Sequence, residues 1–110
     1  MNFSIVATES FERKLKRLAK KHKSIGVDLM SILNELGANP TLGTQITTNV
    51  YKIRVAIRSK GKGKSGGLRI ITLVRIIKNT VYLIDIYDKS EQENISTKEL
   101  KKIIDSFINE

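Results

Sequence analysis

One stretch of the chain is rich in cationic side chains and free of acidic ones. Between Leu36 and Ile84 there is no Asp or Glu, yet nine of the chain's 20 Lys and Arg residues fall there. They are Lys52, Arg54, Arg58, Lys60, Lys62, Lys64, Arg69, Arg75 and Lys78. Charges of one sign repel each other, and an anionic partner offsets that cost. A phosphodiester backbone is such a partner, so the segment predicts binding to nucleic acid.

The same residue types could support RNA cleavage without a metal ion. RNA carries its own nucleophile, the 2′-hydroxyl, so an enzyme must orient it, take its proton and stabilise charge on the phosphorane. A Lys crowded by other cations has a lowered pKa and can move a proton. Arg stays charged and contacts phosphate through paired N–H groups. Tyr87, at the end of the last predicted strand, could stack on a base, share in proton transfer or simply pack there.

A zinc site and a P-loop both fit the sequence poorly. The chain has no cysteine and a single histidine, His22, which we interpret as a surface residue near a helix C-terminus. The triplet Gly63-Lys64-Ser65 resembles the end of a phosphate-binding P-loop, but that motif needs a glycine where Arg58 stands and a helix directly afterwards. A strand pattern follows instead. We therefore interpret the glycines as a hairpin loop that brings lysines to phosphate, or as a solvated hairpin tip.

The acidic side chains do not suggest a magnesium-dependent nuclease, which needs clustered carboxylates. The first four acidic residues after the basic segment, Asp85, Asp88, Glu91 and Glu93, lie close together in the sequence. We interpret them as solvated or salt-bridging groups, and we expect Asp85 to pair with Arg69 or Arg75 inside the sheet. No metal and no cofactor are expected.

Length and composition indicate a single domain over residues 1–110. Hydrophobic residues make up 40% of the 110, enough for one modest core. The net charge of +9 again favours an acidic partner over a merely soluble basic domain. The longest apolar runs are strand-sized, so we expect neither a signal peptide nor a membrane span. The absence of cysteine fits a cytoplasmic location.

Hydrophobic spacing in the first third of the chain predicts a hairpin of two helices. A short strand at residues 2–7 comes first, and Thr8 then caps a helix that ends near Lys21. Ser24 caps a second amphipathic helix, which Gly37 ends. The polar face of the first helix is basic. We expect it to be solvated, with contact to RNA as the alternative.

Alternation predicts a half-buried strand at 51–58. Two runs that are apolar at successive positions, at 68–77 and 81–87, predict central strands. The first has a basic outer face that carries Lys52 and Arg54, and the short connections require antiparallel pairing. A final helix begins at Ser96, which can form a capping box with Glu99. The fold class is therefore α+β, with an N-terminal strand and helical hairpin packed on an antiparallel β-sheet and a C-terminal helix.

Several of these segments together resemble the RelE/ParE toxin superfamily. The segment YKIR at residues 51–54, the basic loop after it and GLRII at 67–71 resemble the core of that superfamily. The stretch KSGGLR at 64–69, with YDKSE at 87–91, is most similar to the HigB-type branch. The similarity covers nearly the whole chain, and it depends on the order and spacing of short motifs.

The resemblance implies a type II toxin that enters the ribosomal A site and cuts mRNA there without a metal ion. It implies Lys52 and Arg54 as basic strand positions of the active site, and Arg69 as the arginine after the glycine pair. Lys89 corresponds to the basic residue that follows the last core strand, and Lys64 competes with Lys52 as general base. The catalytic candidates are Lys52, Arg54, Lys64, Arg69, Tyr87 and Lys89. The RNA-binding candidates are Arg58, Lys60, Lys62 and Arg75.

The same resemblance implies partners and raises an alternative. The partners are the ribosome, mRNA and a cognate antitoxin, which often carries a DNA-binding domain and through which alone operator DNA would be bound. ParE-type members are gyrase poisons that do not cleave RNA. A non-catalytic nucleic-acid-binding module is the third hypothesis, but it should display aromatic side chains for base stacking. The chain has only three Tyr and three Phe.

Overall fold

Five strands and three helices make up the described part of the chain. The computed structural model describes residues 2–61, 63 and 66–108, without the side chains of 107 and 108. The strands are β1 (Ser4–Ala7), β2 (Thr44–Thr47), β3 (Val50–Val55), β4 (Leu68–Arg75) and β5 (Thr80–Asp88). The helices are α1 (Glu9–Lys21), α2 (Ile25–Ala38) and α3 (Thr97–Ile108). No helix among these residues is long and apolar enough to cross a membrane.

The strands form one sheet in the order β1-β5-β4-β3-β2. The predicted antiparallel pairing of β3, β4 and β5 is confirmed, and β1 joins the sheet parallel to β5. The sequence did not reveal β2, a four-residue strand that is exposed throughout and pairs with β3 at the sheet edge. Because β2 is short and mostly polar, it lacks the alternation that identifies a half-buried strand. The α+β class predicted from the sequence is confirmed.

Apolar side chains cover both faces of the sheet. On one face, which we call the hairpin face, α1 and α2 pack through Phe11, Leu18 and Leu29. On the opposite face, which we call the α3 face, Leu100 of α3 packs on strand side chains that include Tyr87. Alternate residues of a strand point to opposite faces. Both faces of β4 and β5 are therefore buried, as expected for central strands.

The helix ends agree only in part with the predictions from sequence. Thr8 caps α1 by accepting a hydrogen bond from the Phe11 amide at 3.3 Å, and α1 ends at Lys21 as predicted. The Ser96 hydroxyl accepts one from the Glu99 amide at 3.1 Å, which confirms that part of the capping box.

Helix α2 begins after Ser24, as predicted, but its cap and its end differ from the prediction. The Ser24 side chain makes no capping bond to the helix backbone, because its hydroxyl donates to an Asp28 carboxylate oxygen at 2.7 Å instead. Gly37 does not end the helix, which continues to Ala38. The Gly37 carbonyl instead accepts a hydrogen bond from the Phe3 amide at 2.9 Å, which joins α2 to the start of β1.

Candidate functional site

Three of the predicted catalytic residues lie side by side across the middle of the sheet. Arg54 of β3 is directly opposite Arg69 of β4, and Arg69 is directly opposite Tyr87 of β5. Directly opposite residues have Cα atoms about 5 Å apart and share a face. We call this set the Arg–Arg–Tyr row. It lies on the α3 face, because Tyr87 belongs to the apolar cluster around α3.

The row places two like charges next to each other, which costs stability. Like charges directly opposite on a sheet destabilise it. Arg54 is exposed, whereas Arg69 is only 3% exposed and its Nη1 donates to the Leu68 carbonyl at 3.1 Å. Burial, and next the positive charge of Arg54, lower the pKa of Arg69. A bound anion would relieve this repulsion.

Tyr87 is buried beside the two arginines, with 3% of its surface exposed. Burial raises the pKa of Tyr87 and outweighs the opposite effect of the nearby Arg69 guanidinium. A phenol whose pKa is raised stays neutral at physiological pH. Tyr87 can therefore donate a proton or a hydrogen bond, and its burial argues against the base-stacking role considered above.

Two further candidates flank the row. Lys52 lies two residues before Arg54 on the same face of β3, and its Nζ donates to the Asn94 side-chain oxygen at 3.3 Å. Lys89 lies two residues beyond Tyr87, and its amide continues the sheet by donating to the Gly67 carbonyl at 3.0 Å. Lys89 lies in the turn that follows β5, directly after the last residue of the strand.

Gly67 brings the start of β4 unusually close to β3. A Cβ at this position would lie 2.0 Å from the Val55 carbonyl oxygen, a separation that no side chain can accept. The position therefore requires glycine. Because Arg69 follows two residues later, this close approach fixes where the row is formed, and it gives a structural reason for the glycine in the GLRII segment.

An open, shallow depression lies at the free edge of β3, between the sheet and α2. It has a volume of about 240 Å³ and borders Lys52 and Arg54 where β2 ends and the edge of β3 is uncovered. Its far wall includes Glu35 of α2 and Thr44. Such a depression suits an extended polymer better than an enclosed small molecule, whose sites are typically deep and apolar.

The remaining predicted residues lie elsewhere or outside the described residues. Arg58 is 3.6 Å from the Asp28 carboxylate, and Arg75 is at the far end of β4, about 20 Å from Arg69 at the usual rise per residue of a strand. Lys62 and Lys64, which include one candidate for the general base, are not among the described residues. The structure therefore brings together Lys52, Arg54, Arg69 and Tyr87, with the backbone of Lys89 at the end of β5 next to them.

Lys60 belongs to a cluster around the buried Asp88 carboxylate on the hairpin face, which we call the anchor cluster. It consists of Asp88, Ser90, His22 and Lys60. Asp88 is fully buried and accepts hydrogen bonds from the Ser90 hydroxyl at 2.7 Å and from Lys60 Nζ at 3.2 Å. His22 Nε2 lies 2.9 Å from the other carboxylate oxygen. Burial alone would raise the pKa of Asp88, but hydrogen bonds from Ser90, His22 and Lys60 outweigh it and hold the pKa well below its ordinary value.

The anchor cluster corrects the interpretation of His22 as a surface residue. His22 is 8% exposed and faces a carboxylate 66 positions later in the chain. Nothing in the local sequence indicates this, because lysines surround His22 on both sides. Only the packing of the α1–α2 turn against the end of β5 brings the two side chains together.

The expected partner of Asp85 is also wrong. Asp85 is fully buried and pairs with Lys14 of α1 at 2.6 Å, and not with Arg69 or Arg75. Lys14 also contacts Glu99 of α3 at 3.2 Å. Burial raises the pKa of Asp85 despite the opposing effect of Lys14. The prediction of a salt-bridged carboxylate is therefore confirmed for Asp85, although the partner comes from a helix.

Comparisons with known proteins agree with this fold. The model of a family described as the RelE toxin of the RelE/RelB toxin–antitoxin system matches residues 9–106. A double arginine-to-alanine mutant of Escherichia coli toxin RelE in the free state has a similar structure, with a TM-score of 0.61 and 18% identity over 84% of this chain and 90% of that one. The isolated E. coli RelE toxin matches with a TM-score of 0.59 and 16% identity over 96% of this chain and 98% of that one.

Among the described residues, no group of three His, Cys, Asp or Glu side chains could hold a metal ion.

Proposed function

The chain belongs to the RelE family of type II toxins, and from this premise we propose that it is a metal-independent endoribonuclease that cuts mRNA in the ribosomal A site. The observation that carries the proposal is the Arg–Arg–Tyr row, in which two guanidinium groups and a neutral phenol share one face of the sheet. Lys52 adds a third cation beside a shallow, open depression. These are the groups that cleavage by the 2′-hydroxyl of RNA requires.

Each member of the site has a role that its surroundings support. Arg54, which is exposed, contacts the scissile phosphate through paired N–H groups. Arg69, buried on the neighbouring strand, adds positive potential where charge develops on the phosphorane. Tyr87, whose pKa is raised, donates towards the departing 5′-oxygen. Burial of Arg69 and Tyr87 means that RNA reaches them only after the side chains over them shift.

The proton of the 2′-hydroxyl must be taken by a base, and two lysines remain candidates. Lys52 lies on the same face as Arg54, and its ammonium group donates a hydrogen bond to the Asn94 side-chain oxygen. Lys64 is the second candidate from the sequence. Lys89 completes the cationic surface beyond Tyr87, and its place in the sheet is fixed by Gly67.

The proposal includes the partners of the reaction. The substrate is mRNA on a translating ribosome in the cytoplasm, and no cofactor is required. A toxin of this family has an antitoxin partner. We propose that this antitoxin carries a DNA-binding domain and that operator DNA is bound only through it.

Primer extension on an mRNA in a translating extract tests the activity. We expect cuts only while ribosomes translate the message, with EDTA-treated free RNA remaining intact. Arg54→Gln should slow cleavage by about 100-fold, the usual cost of losing one donor to a transition-state charge. Lys78→Gln is the matched control, since Lys78 is an exposed cation near the opposite end of β4.

Three other outcomes would contradict the proposal. Equal cleavage rates for the wild type and Arg54→Gln would show that the Arg–Arg–Tyr row takes no part in the reaction. Intact mRNA together with trapped gyrase–DNA complexes would reject the ribonuclease proposal in favour of a ParE-like gyrase poison. Binding to RNA with neither effect would favour a non-catalytic module.

A further inference from the structure

The six cationic side chains of α1 form two groups, which lie on different sides of the helix. One group is neutralised by acidic residues from later parts of the chain. Lys14 pairs with Asp85 at 2.6 Å, and both Arg17 and Lys21 pair with Glu91, at 3.2 and 3.3 Å. These pairs hold α1 against β5 and the segment that follows it. The sequence predicted a solvated basic face on α1 and did not predict that three of its side chains form ion pairs.

The second group consists of Arg13, Lys16 and Lys20, which we call the outward stripe. All three are exposed, and in the described part of the chain none of them makes an ion pair or a side-chain hydrogen bond. Their spacing of three and four residues puts them on one line along the helix. At 3.6 residues per turn that line is opposite Phe11 and Leu18, which are buried against the sheet.

We infer that the outward stripe is a second RNA-binding surface, which docks the protein on the phosphate backbone of ribosomal RNA. This inference rests on the proposed function, because it assigns a place on the ribosome to a surface that the cleavage site does not use. The stripe extends about 10 Å along the helix axis. At one phosphate per about 3.4 Å along each strand, that length faces roughly three phosphates.

The composition of the stripe favours RNA over a protein partner. Protein interfaces are depleted of lysine at their centres and depend on buried apolar or aromatic anchors. The outward stripe contains only long cationic side chains, the pattern that contacts phosphate without reading sequence. Glu9 and Glu12 are exposed one helical turn before Arg13 and Lys16, but among the described residues neither forms an ion pair with them, whereas the other cations of α1 are paired.

The position of the stripe allows both surfaces to act together. The outward stripe lies on the outer side of α1, which covers the hairpin face, whereas the Arg–Arg–Tyr row lies on the α3 face. A sheet and a helix separate the two surfaces. A strand of mRNA at the row therefore does not compete with ribosomal RNA at the stripe.

Binding to vacant ribosomes, which carry no mRNA, tests the inference separately from cleavage. We expect the triple variant Arg13→Gln/Lys16→Gln/Lys20→Gln to bind at least about tenfold more weakly than the wild type near physiological salt, since three phosphate contacts are lost. Between about 50 and 200 mM salt, the slope of log affinity against log salt should also fall by about 2. A short RNA duplex without ribosomal protein should show the same loss.

A control of equal charge is available on another helix. Lys98→Gln/Lys101→Gln/Lys102→Gln removes three exposed cations from α3, and this variant should keep the wild-type affinity and salt slope. Both triple variants should unfold at the urea concentration of the wild type, because exposed substitutions change stability little.

Several results would overturn the inference. They are an unchanged affinity and slope in the α1 variant, an equal loss in the α3 control, or no binding of the wild type to vacant ribosomes. Unchanged ribosome binding with weaker binding of a polyglutamate peptide would assign the stripe to an acidic protein partner instead. A wild type that binds ribosomes through the stripe but leaves mRNA intact would refute the proposed cleavage alone.

Discussion

Tyr87 and Asp88 are adjacent in the chain, yet they belong to two regions with opposite charge arrangements. Tyr87 completes the Arg–Arg–Tyr row on the α3 face, where two guanidinium groups repel each other. Asp88 forms the anchor cluster on the hairpin face, where a buried carboxylate meets Lys60 and His22. Complementary charges that are buried hold segments together, whereas adjacent like charges cost stability. The difference suggests that the anchor cluster serves the fold and that the row serves a ligand.

The change that should harm both regions most is Gly67→Ala. A Cβ at this position would meet the Val55 carbonyl oxygen at 2.0 Å, so β3 and β4 would have to separate beside the row. We expect the free energy of unfolding to fall by about 3 kcal/mol, the upper range for overpacking, as measured by urea denaturation. Gly26→Ala is the control, because a Cβ there meets nothing within 4 Å and alanine favours the helix. Equal urea midpoints for the two variants would contradict this account.

Asp88→Asn should weaken the anchor cluster at neutral pH by about 3 kcal/mol, because it leaves the buried Lys60 without its counter-charge. The pKa of Asp88 is held below its ordinary value, so the unfolded chain takes up the proton first as the pH falls. Asp88 therefore contributes its full stability at any pH above its pKa in the unfolded chain. That stability is lost as the pH falls towards the lower pKa that Asp88 has in the folded protein. Urea melts from pH 7 to 3 should therefore show a gap between wild type and variant that narrows below about pH 4. A gap that stays constant or widens on acidification would rule out this role.

Lys60→Gln should cost stability but not catalysis, with a loss of about 1 kcal/mol in the free energy of unfolding. Lys60 is mostly buried and donates to both Asp88 and Ser90, so its charge is already compensated inside the protein. The sequence assigned Lys60 to RNA binding, and this variant tests that assignment directly. Unchanged stability combined with weaker RNA binding would restore the original assignment.

Arg54→Gln should have the smallest effect on stability, within about 0.5 kcal/mol of the wild type or slightly stabilising. The substitution removes the like charge opposite Arg69 and exposes no buried group. Thermal denaturation measures the change, and Arg54→Lys, which keeps the charge, is the control. If Arg54→Gln were as destabilising as Asp88→Asn, the proposed difference between the two regions would fail.

Much of the fold follows from local patterns in the sequence. Alternation between residues 51 and 58 predicted a strand with Lys52 and Arg54 on one face, and β3 has this arrangement. The Thr8 and Ser96 caps were found because each bonds to an amide three residues later. In contrast, β2 was missed because four exposed residues leave no hydrophobic pattern, and Ser24 was misassigned because its hydroxyl bonds to a side chain.

The members of the candidate site could be predicted, but their arrangement could not. The sequence separated Arg54 and Arg69, among the catalytic candidates, from Lys60, among the RNA-binding candidates, but it did not show the strand register that sets the two arginines side by side. The structure places the first two in one row and the third in a buried ion pair on the other face. The difference depends on which acidic side chain each one meets, and that is a property of distant segments.

The amino-acid sequence by itself determined the order of the elements, their apolar faces and the concentration of positive charge after Leu36. Apolar positions repeat every two residues in a strand and every three to four in a helix, so a short stretch of sequence reveals them. Only the tertiary structure decided that Arg54, Arg69 and Tyr87 stand side by side and that His22 meets Asp88. Strand register and helix packing join residues far apart in the chain, and the physical reason is that such contacts depend on the burial of the whole core.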